Sequence, residues 1–218
     1  LSEELRVLYE DRDLVVVDKP RGLLVEGSGG PERSLWDIAR RIYGPKCRPL
    51  HRLDRETTGI VLFARNALWN RQWAALFEEK RIRKSYYAMV RGKWDKRINR
   101  IDTMISPAGN GRWRNAQEGG KRATTTFRVL AEREGETWIE ALPKTGRTHQ
   151  IRLHCLAAGF SIAGDALYGD VETGPMKLHA HGASFAHPRT GERIELYASL
   201  PDDWDAWVRE EERKRKRL

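Results

Sequence analysis

At 218 residues the chain is long enough to bury one sizeable core, and its 40 Lys and Arg against 31 Asp and Glu give a net charge of +9. The last ten residues contribute six positive and three negative charges, so +6 belongs to the remainder, a surplus that suits a polyanion binder and is not confined to a basic tail. No apolar stretch approaches the roughly 18 to 20 residues that cross a bilayer, the opening LSEELRVLYEDRD lacks a basic start and apolar run, and Cys47 and Cys155 have no Cys-x-x-Cys spacing. These features predict a soluble, cytoplasmic protein with neither a disulfide framework nor a zinc ribbon. The chain starts with Leu1 rather than Met, as expected of a trimmed piece of a longer gene product.

Leu5 to Tyr9 and Leu14 to Val17, separated by the turn-like Asp11-Arg12-Asp13, predict a hairpin. Gly27 to Pro31 reads as a loop, after which Ser34 can cap a helix carrying Leu35, Ile38, Ala39 and Ile42 at helical spacing, stopped by Gly44-Pro45. Ile60 to Ala64 predicts a buried strand and Ala67 to Lys80 a helix with Trp69, Trp73, Leu76 and Phe77 on its core side. Strands follow at Tyr86 to Val90 and Ile101 to Ile105. The polar segment SPAGNGRWRNAQEGGKRA, with four glycines, predicts a mobile loop at about 106–123. It carries Arg112, Trp113, Arg114, Lys121 and Arg122, and basic residues around an aromatic suit RNA, although a solvated connection would look the same.

Strands recur at Thr124 to Leu130 and Thr137 to Leu142, Thr148 is a candidate cap for a helix ending at Gly159, and strands close the chain at Leu178 to Phe185 and Arg193 to Tyr197. Strands outnumber helices without strict βαβ alternation. The fold class expected is therefore α+β, one domain over residues 1–208 with a large mixed or antiparallel sheet flanked by helices and loops, followed by a basic tail at 209–218.

The segment with most chemistry is His51-Arg52-Leu53-Asp54-Arg55-Glu56-Thr57-Thr58-Gly59, a polar turn running into an apolar strand. Arg52 and Arg55 flank Asp54, and cations hold a carboxylate ionised, as a nucleophile requires. A structural Asp in a turn has the same spacing. In Thr145-Gly146-Arg147-Thr148-His149-Gln150-Ile151-Arg152-Leu153-His154, a glycine turn precedes a helix start, which favours anions. Arg147 or Arg152 could hold phosphate, pair with a distant carboxylate, or be a solvated charge. His149 and His154, five apart, and His179 and His181, two apart, make no zincin pattern and lack a third ligand, so no metal is expected.

HRLDRETTG resembles the signature of RluA-type pseudouridine synthases, with Thr58 where that family usually has Ser. VVVDKPRGLLV, RKSYYAMVRG and TGRTHQIRLHCLAAGFSIAGDALYG are similar to further segments of the family in the same order, as is the closing LHAHGASFAHPRTGERIELYASLP, so the resemblance covers roughly Leu5 to Trp204. It implies the pseudouridine synthase catalytic fold and isomerisation of uridine in ribosomal or transfer RNA, without cofactor or metal. It also implies a catalytic set of Asp54, Tyr86 stacking on the uracil, and Arg152 paired with the carboxylate. Arg52 would fill the gap left by the flipped base, Ile151 and Leu153 would wall the pocket, and His51, Arg55 and Arg147 would join the loop cations in binding RNA. The adjacent Tyr87 is expected to pack. Because the sheet pattern starts within ten residues of Leu1, the additional N-terminal RNA-binding domain of larger members is expected to be lacking, which favours recognition of a stem-loop by the catalytic domain and its loop; a monomer is expected. A non-catalytic RNA-binding module on the same scaffold is the main competing reading, and an Asp-and-His hydrolase a distant third.

Overall fold

The computed structural model describes residues 5–27, 34–169 and 174–215. The chain forms two compact units, one from residues 1–84 and 180–199, the other from residues 85–179 and 200–218, where the sequence predicts one domain over residues 1–208.

In the first unit β1 (Val7–Glu10) pairs antiparallel with β2 (Leu14–Lys19) as the expected hairpin, closed by the Asp11 N–H donating to the Leu14 carbonyl at 2.9 Å. β2 pairs antiparallel with β4 (Thr58–Ala64), every residue of which is buried. A short β3 (Arg48–Pro49), which two residues are too few to signal, pairs with the end of β4. β10 (Leu178–Ala186), which belongs to this unit from Ala180 onward, pairs antiparallel with β11 (Arg193–Tyr197).

Gly59 explains how β4 lies against β10. Its φ is +105°, and a Cβ there would stand 2.8 Å from the Ala180 carbonyl carbon and 2.9 Å from its nitrogen. Only glycine allows both the angle and the approach.

Helix α1 (Leu35–Tyr43) starts on Ser34 in a capping box: Ser34 Oγ accepts from the Asp37 N–H at 3.2 Å, while Asp37 Oδ2 accepts from the Ser34 N–H at 3.0 Å. Leu35 and Ala39 are buried, but Ile42 is exposed, so the apolar face is narrower than its spacing suggests. The glycine-rich loop expected before this helix lies mostly outside the described residues. The predicted helix from Ala67 is a 3-10 turn, Ala67–Trp69, leading into α2 (Asn70–Glu78). Trp73 and Leu76 are buried with Leu14, Val16, Ile60, Leu62 and Phe185, while Trp69 and Phe77 pack partly exposed at the margin.

The second unit is an antiparallel sheet in the order β5-β9-β8-β6-β7, where β5 is Arg83–Arg91 (in this unit from Ser85), β6 Arg100–Gly109, β7 Arg112–Ala116, β8 Lys121–Arg133 and β9 Glu136–Pro143. The segment expected as an open loop is thus a strand, a tight turn and further strands. Gly109 faces Arg112 across Asn110-Gly111, whose φ angles of 49° and 72° are those of a type I′ hairpin turn. Its low apolar content conceals a period-2 pattern: Arg112 and Arg114 are exposed, whereas Trp113 and Asn115 face inward, half-buried. One buried face needs few apolar residues, and Asn-Gly between the strands is the signal composition obscures.

Helix α3 (Gln150–Ala157) starts on His149 in a left-handed conformation (φ 56°) rather than on Thr148, and no side chain caps it. It ends in a Schellman motif at Gly159, with the Phe160 N–H donating to the Cys155 carbonyl at 2.9 Å. Tyr87 packs edge-on against Trp138 with ring centroids 5.0 Å apart, as its strand face implies. Helix α4 (Ala206–Arg215) carries the basic residues from Arg209 on, anchored by fully buried Val208; the remainder of the basic run lies outside the described residues. The fold class is α+β, as expected.

Candidate active site

In the first unit the residues around Asp54 form a short loop held at several points. At its entry the Leu50 N–H donates to the Leu62 carbonyl at 2.9 Å, and His51 Nε2 accepts from the Leu62 N–H at 3.1 Å. Burial and the nearby Lys84 ammonium push the His51 pKa down to about 3, so its ring is neutral at physiological pH and offers the loop an acceptor, not a cation. Leu53 is buried, Asp54 is half-buried, and Arg52 and Arg55 are exposed. The Thr57 N–H donates to the Asp54 carbonyl at 3.1 Å, which makes the tight turn that displays the carboxylate.

The strongest hold on this loop comes from Lys19 at the end of β2, a residue the sequence reading does not single out. Lys19 is 1 % exposed, and its ammonium donates to the carbonyls of Pro20 (2.9 Å), Leu23 (2.8 Å) and Arg55 (2.9 Å). Burial pushes its pKa down to about 7. The Gly22 N–H also donates to the Arg55 carbonyl, at 3.0 Å, and Arg21 donates to the Glu56 carbonyl at 2.8 Å. A run of backbone carbonyls collected by one buried cation fixes the loop.

In the second unit Arg152 lies in the first turn of α3, 8 % exposed, and makes a bidentate pair with Asp165: Nε donates to Oδ2 at 2.7 Å and Nη2 to Oδ1 at 2.6 Å. The guanidinium carbon also stands 4.8 Å from the ring centroid of Tyr168. Ile151 and Leu153 flank it on α3, both buried. Tyr86, 9 % exposed, sits on β5 opposite Ala141 of β9. Gln150 closes the turn before the helix, donating to the Thr124 carbonyl and Thr125 Oγ1 at 3.0 Å each and accepting from Thr145 Oγ1 and the Arg147 N–H. His154 lies between the Thr125 and Thr103 hydroxyls (2.8 and 3.0 Å), and burial pushes its pKa down to about 4, so it too is neutral.

The remaining candidate RNA residues gather at the β6–β7–β8 end of this sheet. Arg112, Arg114, Lys121 and Arg122 are exposed, and Arg147 Nε donates to the Arg122 carbonyl at 3.1 Å. Asp102 takes hydrogen bonds from both Arg122 and Arg100, which hold its carboxyl well below the usual range, so Arg122 arrives already paired. Trp113 is not a free stacking ring: it packs with Ile105, Ala123, Leu153 and Tyr168.

Among the described residues one trio, Asp11, Asp13 and His187, brings metal-type donor atoms within 4.8 Å of one another. Its chemistry opposes a cation. Arg189 already pairs with Asp13. His187 Nδ1 accepts from the Arg189 and Thr190 N–H groups at 3.2 and 3.3 Å, which leaves the ring proton on Nε2, facing Asp11 Oδ2 at 3.3 Å. A metal would need that position unprotonated. Cys47 and Cys155 are both buried as thiols, and burial pushes the Cys47 pKa up to about 11.

The α+β fold carries a half-buried aspartate on a pinned loop in the first unit and a buried arginine–aspartate pair at a helix start in the second, and solved structures share this fold. The human RNA Pseudouridylate Synthase Domain Containing 1 superposes with a TM-score of 0.74 over 96 % of this chain and 95 % of that one at 24 % identity, a likeness of fold. The family model described as RNA pseudouridylate synthase matches residues 13–157, so the chain belongs to the RNA pseudouridylate synthase family. It is 35 % identical over 206 residues to the Ribosomal large subunit pseudouridine synthase C of Vibrio cholerae serotype O1, covering 89 % of this chain and 65 % of that protein. It is also 35 % identical over 213 residues to the Uncharacterized RNA pseudouridine synthase YlyB of Bacillus subtilis, covering 92 % and 70 % respectively. The chain therefore spans about two-thirds of the length of these curated relatives.

Proposed function

We propose that this chain converts uridine to pseudouridine in structured RNA, with Asp54 as the nucleophile. The observation that carries the reading is the half-buried Asp54 on a loop pinned through backbone carbonyls, inside a segment matched by the family model. The reaction breaks the bond from ribose to the uracil nitrogen, turns the base while it stays bound, and rejoins it through carbon 5, with no net redox change. The aspartate either adds to the anomeric carbon or acts in an elimination through a glycal, and both routes need it ionised. Arg152 is the cation assigned to keep it so.

A uridine stacked in a stem-loop must be flipped out, at a cost of a few kcal/mol, and the exposed Arg52 would fill the space it leaves. Tyr86 would stack on the flipped uracil between the walls made by Ile151 and Leu153. The RNA around the site would be held by shape and phosphate contacts to Arg55, Arg147, Arg112, Arg114, Lys121 and Arg122, which suits a net charge of +9. The names of the relatives favour large-subunit ribosomal RNA over transfer RNA as the substrate, in the cytoplasm where that RNA is processed.

The test is tritium release from RNA labelled at carbon 5 of uracil, comparing the chain with Asp54→Asn on separate ribosomal and transfer RNA pools. Release by the unaltered chain alone, from the ribosomal pool, is the expected result. Equal silence from both, with RNA binding intact, would replace this reading with a non-catalytic RNA-binding module.

A further inference from the structure

Asp165 and Tyr168 have no part in the reaction as written above, yet they hold the Arg152 guanidinium from two sides. Asp165 engages Nε and Nη2 in parallel bonds of 2.7 and 2.6 Å, a fork-on-fork geometry that fixes both the plane of the guanidinium and its rotation. Oδ1 of the same carboxylate accepts the N–H groups of Leu167 and Tyr168 at 3.1 Å each, so the acid is itself anchored in the turn that carries Tyr168. The Tyr168 ring then lies against the guanidinium, 4.8 Å from centroid to carbon. A pair this buried, 8 % and 1 % exposed, yields little net stability, because desolvation offsets the attraction. What it supplies is orientation.

The Tyr168 hydroxyl carries the connection further. It accepts the Trp113 N–H at 2.8 Å and is paired with His149 Nδ1 at 2.7 Å. Trp113 belongs to β7, the strand whose outward side chains are Arg112 and Arg114. On the inward side Asn115 donates to the Leu153 carbonyl at 2.8 Å, one residue beyond Arg152. The strand offered to RNA and Arg152 therefore share one hydrogen-bonded block.

We infer that Asp165 and Tyr168 are positioning residues for the reaction: Asp165 sets the plane and rotation of the Arg152 guanidinium, and Tyr168 locks β7 to the same clamp. This rests on the roles proposed for Asp54 and Arg152. The test combines single-turnover tritium release from carbon-5-labelled ribosomal RNA, RNA binding, and the nitrogen-15 signal of the Arg152 side-chain N–H, assigned by its loss in Arg152→Met.

Asp165→Asn is expected to slow the single turnover by about 10- to 100-fold, the scale on which small misplacements act, with RNA affinity changed by less than about twofold. In an Arg152→Met background it should add less than about twofold, because it acts through that arginine. Tyr168→Phe keeps the ring and removes the hydroxyl, and should weaken RNA binding several-fold as β7 loosens. An unchanged rate in Asp165→Asn, or losses that multiply in the double variant, would overturn the inference. If Asp165→Asn does not melt cooperatively, Asp165→Glu keeps the charge, displaces it by one methylene, and should show the same slowing. The slowly exchanging Arg152 Nε–H should be present in the unaltered chain and lost in Asp165→Asn; its absence from the unaltered chain would overturn the clamp whatever the activity. Tritium silence of the unaltered chain would instead count against the proposed reaction, with the Nε–H signal still judging the clamp.

Discussion

Lys19 Nζ lies 2.9 Å from the carbonyl oxygen of Arg55, thirty-six residues further along the chain, and this contact ties the end of β2 to the loop that displays Asp54. The same ammonium serves two more carbonyls, those of Pro20 and Leu23, so Lys19→Met takes a donor from three acceptors, of which the Arg55 carbonyl keeps the Gly22 N–H. We expect it to cost about 1–3 kcal/mol of stability and to lower turnover more than RNA affinity. A second signature is a pH slope. In the folded chain Lys19 gives up its proton near 7, and in the unfolded chain near 10.5, so between these values the unfolded state binds more protons and stability rises with pH. Lys19→Met should flatten that part of the profile. Chemical denaturation of both proteins from neutral to alkaline pH measures the difference, and parallel profiles would refute it.

His51 sets the acid side. Its Nε2 can accept from the Leu62 N–H only while unprotonated, and burial pushes its pKa down from 6.5 to about 3. A base whose folded pKa is depressed contributes most above its unfolded value, and that contribution is lost as pH falls below 6.5 toward 3. The loss amounts to roughly 3 kcal/mol by about pH 4 if the full shift is realised. His51→Gln should lower stability at neutral pH and show a shallower decline on acidification, read from melting temperatures between about pH 7 and 4. An unaltered acid slope would assign that decline to other groups, of which His154 is the next candidate.

The two halves of the candidate site were not equally legible. Asp54 stands out because its polar turn runs into an apolar strand, and Tyr87 could be assigned to packing from strand alternation alone. Lys19 could not be found this way, since Asp18-Lys19 after three valines looks like the polar end of a strand, and only the folded chain brings the three carbonyls around it. Asp165 sits in a glycine-rich stretch where an acid ordinarily marks a turn, and it does make one; its larger part, holding Arg152, depends on a contact thirteen residues apart. The polar composition of residues 106–123 hides the β6–β7 hairpin. Asn110-Gly111 carries the information, and the polar strands around it obscure it.

Gly59 sits at the junction of the Asp54 loop and β4, and two independent constraints act on it. The φ of +105° strains any other residue, and an added Cβ would press into the Ala180 backbone of β10, which cannot move as a side chain would. Gly59→Ala is therefore expected to destabilise by more than about 4 kcal/mol and to leave little soluble folded protein. By contrast Gly111→Ala, with open space around its Cβ position, meets only the φ penalty and should cost about 1 kcal/mol. Comparable expression and melting of the two variants would refute the distinction.

Arg112 and Arg114 share the outward face of β7, while Trp113 between them packs inward with Ile105, Leu153 and Tyr168. The three residues should therefore fail in different ways. Arg112→Gln and Arg114→Gln should fold normally and weaken RNA binding, each reducing the slope of log affinity against log salt by up to about one unit if it meets a phosphate, because neutralising one phosphate releases about one counterion. Trp113→Ala removes part of a packed cluster and should destabilise by about 2–4 kcal/mol, with the salt slope of the folded fraction intact. Binding titrations at several salt concentrations, alongside thermal melts, separate the two. If Trp113→Ala left stability unchanged while binding fell as far as in the arginine variants, the ring would be an RNA-stacking group after all, and the inward face of β7 would have to open when RNA docks.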